Sequence, residues 1–415
     1  MVGLGWLTKV KERPPNRGRS TSKAVELLLE EGSDPTQTDD NGWSPIHEAA
    51  RSGSARTVKI LLQKGADVDR MPSSEGWRAP AATPLHEAAS EGFFEATEVL
   101  LTEGADPTLA DDKGIAPIHK ASEAGSAQVV ELLLEHGADA VRVSGAEDHR
   151  RIPIHKASAS GSPEAVKLLL ENGADPTQTD DEGKAPIHSA ASSGSLETVK
   201  LLVDSGADPQ RDTWEKGDGL SEGKVTPILP AAENNSLEIL KYLVEEGSGV
   251  NCADEDGLTP LHYAAEKSKE ATDLVLRAGV KIDQTDGVGV TPLHRAAGSG
   301  RAGVVELLLD GGADANCADQ DGETPLHFAV SADAGKVVKL LDEGGADPNR
   351  SDDQGRTPLH KAADRGSPDA AKELLEAGAD PDALDDSGRT PDDVAKEGGV
   401  GRQQEVLDVI LSFRN

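Results

Sequence analysis

Short runs of apolar residues recur along this chain at helical spacing, and glycines separate them. In the first clear copy, Ile46, Ala49 and Ala50 fall on one face of a helix that Gly53 would end. A second run, residues 58–62, follows and stops before a glycine at position 65. The pattern predicts pairs of short helices that cannot bury their apolar faces alone, so that neighbouring pairs stack on one another.

A four-residue signature, such as Thr-Pro-Leu-His at 83–86, opens the first helix of each copy. Proline suits the first helical turn, where its missing N–H has no intrahelical partner, and the preceding Thr or Ser can cap the helix. The signature prolines are Pro45, Pro84, Pro117, Pro153, Pro186, Pro227, Pro260, Pro292, Pro325, Pro358 and Pro391. Many successive pairs are 33 residues apart, as Pro84 and Pro117 are, so one two-helix unit repeats along the chain.

Thr-Pro-Leu-His-x-Ala at a period of 33 residues resembles the ankyrin repeat, and the resemblance covers about residues 21–415. It implies an all-α fold with short β-hairpin fingers, in which helix-turn-helix units form a curved, elongated solenoid. We expect an ankyrin repeat domain over 21–415, with a partial repeat at 21–43, about eleven repeats from residue 44 and a C-terminal cap at 390–415. The basic residues 1–20 are expected to be a disordered N-terminal segment, with an organelle targeting segment as the alternative.

We call the segment from the glycine after a second helix to the next signature proline a finger. A finger normally spans 13 residues, as from Gly104 to Pro117, but three in the N-terminal half are longer. They are fingers 65–84, 137–153 and 206–227. Exposed loops tolerate insertions that packed helices do not, so we expect all three on one face. The longest precedes a copy in which Leu229 replaces the signature histidine and Pro230 lies in the helix, which predicts a seam at 211–230.

Histidine is the residue type that most invites a catalytic or metal-binding interpretation. Nine of the eleven histidines occupy the signature position: His47, His86, His119, His155, His188, His262, His294, His327 and His360. One per repeat, they would lie about 10 Å apart, too far to share a metal ion. Residues 298–303 fit G-x-G-x-x-G but fall at the turn between two helices rather than after a strand. We therefore expect no catalytic, cofactor-binding or metal site, and a protein that is not an enzyme.

The charge of the chain narrows the choice of partner. Its net charge is −33, from 42 Lys and Arg against 75 Asp and Glu, which disfavours nucleic acid and anionic membrane surfaces. A protein with a basic surface would complement this charge, although solubility alone also accounts for it. Two cysteines and no long apolar stretch indicate an intracellular protein, cytoplasmic or nuclear, and we expect a monomer.

Several residues stand out as candidate contacts for a partner protein. Trp43, Trp77 and Trp214 lie in fingers, where an exposed tryptophan can anchor an interface or cover its own finger. Arg142, Arg150 and Arg151 cluster in finger 137–153, with ion pairing to Glu147 and Asp148 as the alternative role.

The residue after each signature histidine is expected to face the concave surface that ankyrin repeats use for recognition. Here that row includes Tyr263 and Phe328, for which packing against the next helix is the competing explanation. The sequence favours a non-catalytic adaptor or scaffold that binds through its concave face and enlarged fingers. The alternative is a passive structural spacer.

Overall fold

The computed structural model describes residues 18–39, 42–72, 81–212, 225–398 and 401–414. The chain divides into two compact units, residues 1–216 and 217–415. In the described part of the first unit the helices are α1 (Gly18–Glu30), α2 (Pro45–Arg51), α3 (Ala55–Gln63), α4 (Pro84–Ser90), α5 (Phe94–Thr102), α6 (Pro117–Glu123), α7 (Ala127–Glu135), α8 (Pro153–Ser160), α9 (Pro163–Glu171), α10 (Pro186–Ser193) and α11 (Leu196–Asp204), with a 3-10 turn at Ala146–Asp148.

The second unit repeats the same alternation of first and second helices. Its helices are α12 (Ile228–Glu233), α13 (Leu237–Glu245), α14 (Pro260–Lys267), α15 (Lys269–Arg277), α16 (Pro292–Gly298), α17 (Ala302–Asp310), α18 (Pro325–Ser331), α19 (Gly335–Glu343), α20 (Pro358–Arg365), α21 (Pro368–Glu376), α22 (Pro391–Glu397) and α23 (Arg402–Phe413). The helical repeat architecture predicted from the sequence is confirmed. Helix α1 packs on α3, as one second helix packs on the next.

Within each unit the helices form two layers. First helices pack on first helices, as α2, α4, α6, α8 and α10 do in order, and second helices pack on second helices. The core lies between the layers, where Ile46, Leu85 and Val58 are fully buried. Burying one such side chain stabilises the fold by about 1.5–3 kcal/mol. Most helices have only seven to nine residues, so their stability comes from this stacking rather than from helix propensity.

The fingers of ordinary length are tight turns built around an aspartate, and no strand is assigned to any finger residue that the structure describes. In finger 104–117 the buried Asp111 carboxylate accepts hydrogen bonds from the N–H groups of Lys113 (2.9 Å) and Ile115 (2.8 Å). The Asp111 N–H donates to the Ile115 carbonyl at 2.8 Å, and Gly114 takes a φ of +74°, which favours glycine. These fingers are therefore hydrogen-bonded turns rather than the β-hairpins that the resemblance implied.

Candidate functional site

The signature histidine joins each repeat to the finger that follows it. Nδ1 of His86 accepts a hydrogen bond from the Thr83 N–H at 3.1 Å and lies 2.8 Å from the Thr83 hydroxyl oxygen. On the other side of the ring, Nε2 lies 2.9 Å from the carbonyl oxygen of Ile115. Because Nδ1 faces a main-chain donor and Nε2 a main-chain acceptor, the ring is neutral and carries its proton on Nε2. The histidine is thus a structural bridge between consecutive repeats.

The enlarged fingers change the acceptor of this bridge. Before each of them, Nε2 of the signature histidine bonds the carbonyl of an arginine 23 residues further on: His47 to Arg70, His119 to Arg142 and His188 to Arg211. Before the fingers of ordinary length it bonds a carbonyl 28 or 29 residues on, as His262 bonds Val290 and His294 bonds Glu323. The first arm of a long finger, the part before its inserted residues, therefore makes this contact. In finger 65–84 the second arm contributes as well, since His47 Nε2 also lies 3.1 Å from the Ala82 carbonyl oxygen.

Burial lowers the pKa of seven of the signature histidines: His47, His86, His119, His155, His262, His294 and His327. The pKa of His86 falls to about 4, as does that of His327, and loss of solvation is the largest cause in both. In the part of the chain that the structure describes, no three His, Cys, Asp or Glu side chains converge where they could hold a metal ion. The signature histidines are therefore a packing feature of the repeat.

The residues after the signature histidines form a half-buried row on the first helices. Several of them bind an acid in the finger that precedes their own helix. Lys156 Nζ lies 2.6 Å from Asp148, the Tyr263 hydroxyl donates to Asp254 at 2.7 Å, and Arg295 donates to Asp286 at 3.0 Å. Because these bonds fix long side chains in one rotamer, the residues of the row that make them are ordered rather than mobile.

Phe328 in this row also packs on its neighbours. Its ring meets His294 edge-on, with centroids 5.0 Å apart, and the Lys361 ammonium lies 5.6 Å above it. Lys361 is buried and pairs with Glu323 at 2.5 Å. Burial and the neighbouring Asp254 carboxylate together raise the pKa of Tyr263, so its hydroxyl remains a donor. Phe328 and Tyr263 therefore combine a partly exposed face with structural contacts.

Of the three finger tryptophans, only Trp43 lies among the described residues, and Trp77 and Trp214 lie outside them. Trp43 is half-buried, and its ring tilts against His47 of its own repeat at a centroid distance of 5.2 Å. The guanidinium of Arg51 lies 6.0 Å from the indole. Trp43 thus covers its own repeat on one side while part of it stays accessible.

Arg150 and Arg151 of finger 137–153 pair with acids other than those expected from sequence proximity. Arg151 pairs with Asp180 at 3.0 Å and with Glu182 at 3.6 Å, both in the following finger. Arg150 approaches Asp181 of the same finger at 3.9 Å. Asp148 pairs with Lys156 instead. Sequence reasoning missed these pairs between fingers because they depend on how repeats stack. The run of three acids at 180–182 is the feature of the sequence that could have indicated these pairs.

The last copy of the signature shows how the bridge is modified. Asp393 stands where other repeats have histidine, and its carboxylate accepts from the Thr390 N–H at 3.2 Å, as Nδ1 does elsewhere. Asp392 replaces the apolar residue and is buried. Burial alone would raise its pKa, but hydrogen bonds from Lys396, Thr390 and Arg414 hold the pKa well below its usual range. The last copy therefore keeps the acceptor part of the motif, in which a side chain accepts from the main-chain N–H of residue 390, but it has no ring N–H to donate.

Among the described helices, none is both long enough and apolar enough to cross a bilayer.

Comparison with known proteins identifies the repeat. A family profile described as ankyrin repeats (3 copies) matches residues 17–111, 85–180, 143–213, 216–286, 266–352, 293–385 and 333–412. Among solved structures, the crystal structure of the human ASB11 ankyrin repeat domain is 27% identical, covering 56% of this chain and 99% of that domain, with a TM-score of 0.49. Since the profile spans nearly the whole chain, this protein belongs to the ankyrin repeat family.

Proposed function

We propose that this protein is a non-catalytic adaptor or scaffold that binds another protein through its inner row of first-helix residues and its enlarged fingers. Ankyrin repeats are protein–protein interaction modules, and the row supplies the chemistry such a surface needs. It alternates charged and aromatic groups, as in Tyr263, Arg295, Phe328 and Lys361. The single observation that supports the proposal most is that finger acids and neighbouring rings hold these side chains in place, which reduces the entropy lost on binding.

The partner we favour is a protein with a basic surface, because the chain carries a net charge of −33. We further propose an intracellular, monomeric protein. If charge attracts the partner, the association rate falls steeply as ionic strength rises, since the Debye length shortens from about 10 Å at 0.1 M to about 3 Å at 1 M. An association rate that does not respond to salt would leave solubility as the role of the acidic surface.

The proposal is tested with a partner recovered by affinity purification and mass spectrometry and then produced pure. Replacing Tyr263 and Phe328 together by alanine should weaken its binding at least tenfold, since aromatic anchors carry much of the energy of an interface. Replacing Lys241 on the outer helix α13 by alanine is the matched control and should leave the Kd unchanged. Circular dichroism melts confirm that each variant is folded.

A triple replacement of Trp43, Trp77 and Trp214 by alanine tests the fingers separately. An adaptor that uses them loses its partner, whereas a passive spacer behaves unchanged. If neither the tryptophan variant nor the variant of the inner row alters binding of any recovered protein, the adaptor proposal is wrong and the spacer remains.

A further inference from the structure

Finger 137–153 is held in one conformation by contacts on both sides. The Ser144 N–H donates to the Arg151 carbonyl at 2.9 Å and closes the finger, while the Gly145 N–H donates to the Lys113 carbonyl of the preceding finger at 3.0 Å. His119 fixes the first arm through the Arg142 carbonyl at 2.9 Å. The inserted residues therefore form an ordered structure rather than a slack loop.

The tip of this finger is also strained. His149 and Arg150 take φ values of +56° and +53°, two consecutive left-handed residues neither of which is glycine. Contacts to the next finger hold them there: the His149 carbonyl accepts from the Asp181 N–H at 2.9 Å, and His149 Nδ1 lies 3.2 Å from Glu182. Strain of this kind persists only when surrounding contacts determine the conformation, and it is concentrated at functional sites.

The ordered finger exposes an apolar pair around a cation. Val141 and Val143 are 42% and 38% exposed, two of the eight large apolar side chains exposed in the described residues. Arg142 between them is exposed, and its guanidinium forms no ion pair with any described residue. Apolar side chains flanking a cation without a partner resemble the centre of a small interface more than a solvated loop.

The charge of this finger differs from that of its neighbour. Finger 137–153 balances three acids, Asp139, Glu147 and Asp148, with three arginines, Arg142, Arg150 and Arg151. The next finger, 173–186, has four acids, Asp175, Asp180, Asp181 and Glu182, and one lysine, Lys184. Asp148 and Asp180 are already paired, so a carboxylate from outside meets at Arg142 a cation that none of the described residues neutralises.

We propose that Val141, Arg142 and Val143 form a recognition site for a segment of a partner protein that places one carboxylate among apolar side chains. The inference rests on the proposed adaptor function and identifies the chemistry of one contact in it. A polyanion such as a nucleic acid fits poorly, because beyond this single cation it meets a chain of net charge −33. The partner can still be basic elsewhere, which draws it to the acidic remainder of the protein.

The probe is a phage-displayed library of random twelve-residue peptides, selected on the full chain and then measured as synthetic peptides by fluorescence anisotropy. We expect enrichment of peptides with Asp or Glu next to apolar residues. Arg142→Glu should weaken their binding about tenfold or more, and Val141→Ser with Val143→Ser should do the same. Val288→Ser, at an exposed valine in a finger of the second unit, is the matched control and should leave the Kd unchanged.

The inference is overturned if selection gives no peptide whose binding depends on Arg142, if the dependent peptides are basic, or if single-stranded DNA binds through Arg142 more tightly than the peptides do. Peptides that lose affinity with Tyr263→Ala and Phe328→Ala but not with Arg142→Glu would overturn this site and support the proposed function. Arg142→Ala is measured as well, because it keeps the main-chain carbonyl that accepts from His119. If the peptides also bind this variant more weakly, the loss with Arg142→Glu comes from the missing guanidinium and not from a folding defect.

Discussion

At the scale of single residues, two fully buried hydroxyls in the core, those of Ser122 and Ser158, have no hydrogen-bond partner among the residues that the structure describes. Ser158 lies in α8 at the position that Ala50 and Ala89 occupy in earlier repeats, so it marks where the repeat departs from its best-packed form. Such a group costs about 1–3 kcal/mol. We therefore predict that Ser158→Ala raises the free energy of unfolding by about 1 kcal/mol, measured by urea denaturation. Ser160→Ala on the exposed face should change it by less than about 0.5 kcal/mol, and a loss of stability in Ser158→Ala would contradict the interpretation.

The buried histidines predict how stability responds to acid. Their pKa values are lowered in the folded state, mainly by burial, to about 4 for His86 and His327 and in the same direction for His47, His119, His155, His262 and His294. Between pH 6.5 and 4 the unfolded chain therefore binds more protons than the folded chain. The stability from neutral histidines is complete above pH 6.5 and is lost as the pH falls towards 4.

Urea midpoints at pH 7.5, 6 and 5 measure this effect. Each histidine contributes up to about 1.4 kcal/mol per pH unit inside the window. His86→Gln removes one titrating ring, so this variant should be less stable at pH 7.5 but lose less stability on acidification. An unchanged dependence on pH in that variant would show that His86 is not one of the groups responsible.

At the scale of elements, polar side chains link successive fingers in the second unit. The Asn349 side chain accepts from the Asp380 N–H at 2.7 Å and donates to the Gly378 carbonyl at 3.1 Å, both in the next finger. Asn316 makes the same pair of bonds one repeat earlier. We predict that Asn349→Ala lowers stability by about 1 kcal/mol. The control is Asn172→Ala, whose amide bonds only its own helix through Leu168, and a similar cost in both variants would refute a role for the link between fingers.

Helix capping predicts a gradient of local stability. Ala116, Ile152 and Ala185 lack the hydroxyl that Thr259, Thr291, Thr324 and Thr357 place next to the signature histidine. The main-chain half of the motif survives, since the Ala185 N–H still donates to His188 at 3.1 Å. Losing the hydroxyl costs about 1 kcal/mol. Amide hydrogen exchange should therefore be faster in α6, α8 and α10 than in α14, α16, α18 and α20. Ala185→Thr should slow exchange in α10, and equal or greater protection of the first group in the unaltered protein would contradict this prediction.

The elements were largely predictable from the sequence, and the contacts between fingers were not. The signature proline marks the start of the first helix in most described repeats, and a glycine ends the second, because both residues have fixed backbone preferences. An exception is α12, which starts at Ile228, one residue after the proline. The pairing of Arg151 with Asp180 depends on the offset between stacked repeats, which a single repeat does not encode.

At the scale of the whole molecule, two compact units divide the chain at residues 216 and 217. In a repeat protein, stability is the sum of each repeat and its contacts with nearest neighbours, so one weakened junction lets parts of the chain open separately. The seam that the sequence predicts at 211–230 includes this division. Its repeat replaces the bridging histidine with Leu229, and the Thr226 hydroxyl bonds the Cys252 sulfur at 3.0 Å instead.

We therefore predict that, apart from trimming of the basic residues 1–20, limited trypsin digestion cuts first between residues 211 and 230, where Arg211, Lys216 and Lys224 supply cleavage sites. Cleavage follows local opening, which is most frequent where neighbouring repeats stabilise each other least. Mass spectrometry should find two long fragments, each retaining helical circular dichroism, because each unit has its own two-layer core. Restoring the signature with Leu229→His should slow this first cut if the missing bridge weakens the seam. If the rate is unchanged in that variant while helix α12 stays folded, the weakness belongs to the length of finger 206–227 alone. First cuts elsewhere between residues 21 and 415 would exclude a weak seam at 211–230.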